Sequence, residues 1–183
     1  LFYCGDDVHH AKMEKIQAAL QARQLDGLLL LKHDAVRYVT EFYAKGYRPF
    51  LDLEYAALVS RDRDPVLGFT LGGEERRAAI RSRVSDARRL PGIRRWAGAL
   101  AQILRDYDLV TGRVGFDFMP HFIYQGLQAE LPALDLVDAA DIWIDISAIK
   151  HPLEVAVIEE ALALAQTGTR TAIEAVAPAV SEI

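Results

Sequence analysis

The sequence predicts an α/β fold: a mixed β-sheet flanked by helices on both sides, followed by a long helix that belongs to a second domain. Three observations predict it. Short apolar runs alternate with segments of helical periodicity up to about residue 140. Two strand-like runs are joined by the polar turn Arg61-Asp62-Arg63-Asp64-Pro65, which supplies an antiparallel hairpin within a helix-connected sheet. From Pro152 onward, helical spacing continues without another strand.

Taken in order, Met13, Ile16, Ala19, Leu20 and Leu25 recur near helical spacing, so residues 10–25 form an amphipathic helix. Asp26-Gly27 ends it. Leu28–Leu31 is too short for a helix and too apolar for an edge, and reads as a buried central strand. A short helix starts at His33-Asp34, and residues 43–53 form a loop broken by Gly46 and Pro49. Tyr55–Ser60 and Val66–Leu71 are the hairpin strands, Glu74–Arg81 a helix and Val84–Leu90 a further strand. Trp96, Ala99, Leu100, Ile103 and Leu104 mark one face of a helix ending near Tyr107. Arg113–Asp117 is a strand, Pro120 starts a helix through Leu131, and Leu134–Val137 is the last strand. Residues 141–149 alternate like a strand but occupy the place of a short helix, and both readings stand. After them Leu153, Val157, Ile158, Ala161, Leu162 and Ala165 line one face of a long helix. Pro152 sits at its first position and Glu154 in its first turn.

Composition narrows the function. With 183 residues, 51% hydrophobic and 26% charged, the chain holds little more than one domain of ~150 residues. No apolar run approaches the roughly 18 residues of a spanning helix, and the LFYCGDDVHH start lacks signal-peptide character, so no membrane partner is expected. The single Cys4 excludes an internal disulfide and suits the cytoplasm. A net charge of −5 argues against nucleic acid. Residues 74–95 nevertheless hold eight arginines against three acids, read as solvating exposed faces of a helix and a strand. The chain opens on Leu1 and stops shortly after Pro178, which suggests a piece of a longer protein.

No complete active site is legible from residue types alone. Asp6, Asp7, His9 and His10 have the chemistry of a metal site, but they sit in a terminus that reads as frayed. His33, His121 and His151 stand beside helix starts or turns, where capping or surface placement explains them. Asp135, Asp138, Asp141 and Asp145 read as strand-end and N-cap acids. Dinucleotide, P-loop, nucleophile-elbow and zinc-protease motifs are absent, and Cys4 has no positioned base.

The far end carries a resemblance. Ile149-Lys150-His151-Pro152-Leu153-Glu154-Val155 resembles the Lys-Ser-Pro-x-Glu-Ile segment of the creatinase/prolidase/Xaa-Pro aminopeptidase superfamily. Leu25-Asp26-Gly27-Leu28 resembles that family's first strand, and Val36–Phe42 its Asn-Ile-x-Tyr-Leu-Thr-Gly-Phe segment. Val114-Gly115-Phe116-Asp117 resembles its Ile-Gly-hydrophobic-acid strand. Two departures stand out: Glu41 replaces the usual Gly, so the loop conformation is expected to differ, and His151 replaces the usual Ser cap.

The resemblance implies an amino-terminal domain over residues 1–148 and the truncated start of a pita-bread catalytic domain over residues 149–183. It implies a dimerising, substrate-selecting domain of a hydrolase that cleaves C–N bonds in Xaa-Pro peptides or a small amidine or amide. The alternative is a non-catalytic protein-binding module of the same fold. Neither catalytic residues nor metal ligands are carried over, and the chain alone is expected to be inactive. Two divalent metal ions are implied for a full-length peptidase and none for a creatinase-like enzyme. A homodimer is the expected partner, with Trp96 and Trp143 taken as exposed apolar surface that pairing would cover. Gly46-Tyr47-Arg48-Pro49-Phe50 is similar to the creatinase Gly-Arg-Pro-Tyr segment. That likeness names Arg48 and Tyr47 as substrate-binding, Arg48 through bidentate capture of a carboxylate across the dimer interface.

Overall fold

The computed structural model describes residues 5–43 and 53–176. Helix α1 (Asp6–Ala22) leads into strand β1 (Gly27–Leu30) and helix α2 (His33–Thr40). The hairpin β2 (Tyr55–Ser60) and β3 (Val66–Phe69) follows, then α3 (Glu74–Arg81) and β4 (Asp86–Arg89). A single 3-10 turn (Ile93–Arg95) opens α4 (Trp96–Asp106), followed by β5 (Arg113–Phe116), α5 (His121–Glu130) and β6 (Asp135–Asp138). Helices α6 (Ala140–Ala148) and α7 (Pro152–Ala175) close the described chain.

The six strands form one mixed sheet in the order β4-β3-β2-β1-β5-β6. Strand β2 pairs antiparallel with both β1 and β3, while the remaining pairings are parallel. Five strands therefore share one direction, and their carboxyl ends meet along one edge together with the start of β2.

The apolar run of β1 explains its central place. Leu28 and Leu30 face a core built from α1, α2 and α6, whereas Leu29 and Leu31 face α4 and α5. A strand covered on both faces must be apolar at successive positions. Each fully buried leucine contributes about 1.5–3 kcal/mol of transfer free energy. Gly115 of β5 has an equally local reason: a Cβ there would lie 2.7 Å from Ala139 Cβ and 2.9 Å from Leu25 Cδ1. No side chain fits between β5 and these neighbours.

Several expectations are corrected. Helix α1 begins at Asp6, ahead of residue 10, because Val8 and Lys12 extend the buried stripe of Ile16 and Leu20, and Asp6 and Asp7 suit its first turn. Of the ambiguous residues 141–149, all but Ile149 are helical: Ile142, Trp143 and Ile146 pack one face inward, and the Asp138 carboxylate accepts the Ala140 N–H at 3.0 Å. Trp96 and Trp143 are 0% and 5% exposed, so neither offers surface for pairing. Strand β4 is shorter than Val84–Leu90, although both of those end residues are buried beside it. Along α7 the apolar positions exist but are uncovered, with Leu153, Ile158 and Leu162 all exposed.

Candidate functional site at the strand-end edge

Tyr47 and Arg48, the expected substrate-binding residues, lie outside the described residues, as does Cys4. Their segment returns to the sheet through Leu53, next to Tyr55 at the start of β2. Tyr55 pairs with Phe69 at the carboxyl end of β3, and β1 runs alongside from Leu30 opposite Ala57. The described chain resumes at the strand-end edge, where open α/β sheets hold their ligands.

Tyr55 is 3% exposed, and its Oη has no hydrogen-bond partner among the described residues. Burial pushes its pKa to about 12, helped by the Glu74 and Glu54 carboxylates and opposed by Arg77. It is a phenol at any physiological pH. The His33 ring meets Tyr55 edge-on at 5.8 Å, and Phe42 packs at 5.7 Å. Glu74 is buried at the start of α3; its Oε1 pairs with Arg77 at 3.3 Å, while its Oε2 has no partner among the described residues. Arg77 also donates to the Tyr43 carbonyl at 2.9 Å, and Arg37 sits 5.0 Å over the Tyr43 ring.

Asp117, at the carboxyl end of β5, is 4% exposed. Its carboxylate accepts the Leu31 N–H at 2.8 Å and the Lys32 N–H at 3.1 Å, tying β5 to the β1–α2 junction. Burial pushes its pKa up to about 6 against these backbone bonds and the Lys32 charge. Both oxygens are committed to the backbone, so Asp117 shapes the edge. The edge holds donors and acceptors that can bind and orient a polar ligand, but no nucleophile with a positioned base.

A second charged group lies where α1, α2 and α7 meet. Glu41 ends α2 in the left-handed conformation (φ 54°, ψ 12°) that glycine favours, so it adopts the backbone of the residue it replaces in the resemblance. Its buried carboxylate accepts from Arg83 Nε at 3.1 Å, faces His9 Nδ1 at 3.5 Å and lies 3.9 Å from Lys12 Nζ. Burial raises its pKa, but His9, Lys12 and Arg83 together outweigh burial and hold it below the usual carboxylate value. Lys12 reaches Glu154 at 3.6 Å and lies 4.8 Å over the Tyr38 ring. This group was not foreseen as a unit. The signals were Glu41 in place of Gly and Lys12 in register with Val8, Ile16 and Leu20.

The other expected residues do not converge. Asp6 pairs with Arg83 while His9 faces Glu41, so the four residues of the amino-terminal set belong to an ordered helix rather than a frayed terminus. Among the described residues, no group of three or more His, Cys, Asp or Glu is placed to hold a metal ion. Asp135 pairs with Arg113, Asp141 with Arg23, and Asp138 caps α6. His151 caps α7: its Nδ1 accepts the Leu153 N–H at 3.2 Å while Glu154 Oε2 accepts the His151 N–H at 2.8 Å. Within the basic block, Arg77, Arg83, Arg88 and Arg89 all pair with acids.

The family model described as the Creatinase/Prolidase N-terminal domain matches residues 12–146. The chain belongs to this family. An Xaa-Pro dipeptidase from Bacillus anthracis superposes with a TM-score of 0.68 at 17% identity, covering 95% of this chain and 45% of that one. The prolidase from Pyrococcus horikoshii OT3 gives 0.65 at 18% identity, covering 91% and 43%. The N-terminal domain of cytoplasmic peptidase PepQ from Mycobacterium tuberculosis H37Rv gives 0.58 at 22%, covering 74% and 98%. At these identities the likeness shows the fold. The chain spans less than half the length of the first two proteins. No curated protein matches it. Among the described residues, no helix is long and apolar enough to cross a membrane.

Proposed function

We propose that this chain is the substrate-selecting and dimerising part of a creatinase/prolidase-type hydrolase acting on C–N bonds, with the catalytic residues in a following domain. The observation that carries this reading is the family match over residues 12–146 followed by a separately capped helix whose apolar face is uncovered. Residues 1–148 form the amino-terminal domain, and residues 149–183 open the catalytic one. Resemblance to Xaa-Pro dipeptidase and prolidase structures supports an Xaa-Pro peptide as substrate, and the Gly46–Phe50 segment supports a small amidine or amide. Tyr47 and Arg48 bind the substrate, and the polar edge around Tyr55 and Glu74 contributes to its selection. The full-length protein works in the cytoplasm as a homodimer, and residues 1–183 alone are inactive.

The test is turnover by the full-length protein, with Xaa-Pro dipeptides and creatine-type amidines assayed with added Mn²⁺ and with chelator. Metal-dependent dipeptide cleavage supports the peptidase branch, and metal-independent amidine cleavage the creatinase branch. Failure on every C–N substrate, with tight capture of a protein partner instead, would establish a binding module.

A further inference from the structure

The charged group between α1, α2 and α7 does more than fill space. Lys12 is 6% exposed and is the ammonium shared by two carboxylates from different parts of the chain: Glu41 at the end of α2 and Glu154 in the first turn of α7. Glu154 has two tasks at once. One oxygen lies 3.6 Å from Lys12, and the other closes the cap of α7 on the His151 N–H at 2.8 Å. Lys15, one turn further along α1, donates to the Ile149 carbonyl just ahead of that cap. Elsewhere α7 has no buried residue, so these polar contacts at its first turn carry its attachment to the domain.

We infer that Lys12 is a positioning residue: it clasps the first turn of α7 to the amino-terminal domain and so fixes the direction in which the following chain leaves. The design is specific to this sequence because Glu41 supplies the second carboxylate from a position where the family resemblance has a glycine. A non-glycine residue in the left-handed region costs about 1–2 kcal/mol. A buried anion that neutralises Lys12 and Arg83 offsets that cost, since a buried ammonium without a partner is far more expensive. Among the described residues, the charges at the clasp include His9 and Arg83 on Glu41, Asp6 on Arg83, and Glu154 on Lys12.

The inference bears on the proposed function, because an edge that selects substrate for another domain needs a fixed exit direction, but its test does not depend on activity. Hydrogen exchange would be followed in the full-length protein at the amides of residues 151–156 and in β1 and β5. Lys12→Met is expected to speed exchange at 151–156 by tenfold or more while leaving β1 and β5 within twofold. Glu154→Gln isolates the pair should Lys12→Met fail to fold, because a Gln oxygen can still accept the His151 N–H. It should speed the same amides by severalfold. In the unmodified protein the protection should fall as pH drops through the lowered Glu41 value, and Glu41→Gln should shrink that step. Unchanged exchange at 151–156 in both variants, or an equal rise throughout the sheet, would overturn the clasp. A full-length protein with no hydrolase activity would leave it standing.

Discussion

Two carboxylates, Asp117 buried and Glu41 partly buried, are pushed in opposite directions. Asp117 at the strand-end edge is held by backbone N–H groups, and burial drives its pKa up to about 6. Glu41 at the α1–α2–α7 junction is held by Arg83, Lys12 and His9, and its pKa falls below normal despite burial. The difference teaches what distinguishes the two regions. At Asp117 the backbone N–H groups and the Lys32 charge do not outweigh desolvation, whereas at Glu41 His9, Lys12 and Arg83 together do. The junction brings opposite charges from α1, α2 and α7 within ion-pair distance, although His9 Nδ1 and Glu41 Oε1 make no hydrogen bond among the described residues. At the edge, Tyr55 Oη and Glu74 Oε2 likewise make none, and a polar ligand can satisfy them.

The largest effect should come from breaking the junction. Lys12→Met leaves Glu41 and Glu154 without their shared cation and should lower the free energy of local opening at the first turn of α7 by about 4 kcal/mol, while global unfolding, which the sheet controls, changes by less than about 0.5 kcal/mol. Amide exchange at residues 151–156 and urea denaturation near neutral pH would measure the two, and a local loss below about 1 kcal/mol would mean that Lys12 does not hold the junction.

The opposite pKa directions should appear as opposite pH slopes. For Asp117 the folded value is raised, so the folded state binds more protons between the ordinary carboxylate value and about 6, and stability declines as pH rises through that window. The linkage is worth up to about 3 kcal/mol. Asp117→Asn removes the slope, so the variant should gain on the unmodified protein between pH 4 and pH 7. Glu41 has a lowered value, so its contribution is complete above 4.5 and is lost as pH falls through the folded value. Glu41→Gln should therefore lose ground as pH rises through that acid range and run parallel to the unmodified protein above it. Two denaturation series across pH would show whether the slopes differ in sign.

The smallest effect concerns the cap. His151→Ala removes the acceptor for the Leu153 N–H and should cost about 1 kcal/mol of local α7 stability. Amide exchange along the helix would detect it, with the pH slope of Asp117 unchanged.

Most of the architecture was legible because it depends on local pattern. The all-apolar Leu28–Leu31 run could only be a strand covered on both faces, and the Arg61–Pro65 turn could only join a hairpin. Gly115 was visible as part of a motif, but its reason, the approach of Ala139, appears only when β5 and the β6–α6 connection come together. Residues 141–149 stayed ambiguous because Ile142, Ile144 and Ile146 alternate like a strand, and burial of Trp143 beside Ile142 decides for a helix. Tryptophan hydrophobicity suggested exposed pairing surface, yet both tryptophans are core residues, a distinction no linear pattern encodes. The junction was hidden for the same reason: Lys12, Glu41, Arg83 and Glu154 are far apart in sequence, and charged residues between apolar ones read as solvated.

The most direct measurement on the working role of the edge is steady-state kinetics of Arg48→Ala in the full-length protein, with melting temperature as control. Losing a charge-assisted bidentate contact in a desolvated site costs on the order of 2–5 kcal/mol. KM should therefore rise about 30-fold or more while the melting temperature stays constant. Arg48→Lys should recover only part of the loss, since a point charge cannot form two parallel bonds. Unchanged kinetics in Arg48→Ala, at an unchanged melting temperature, would contradict a substrate-selecting edge.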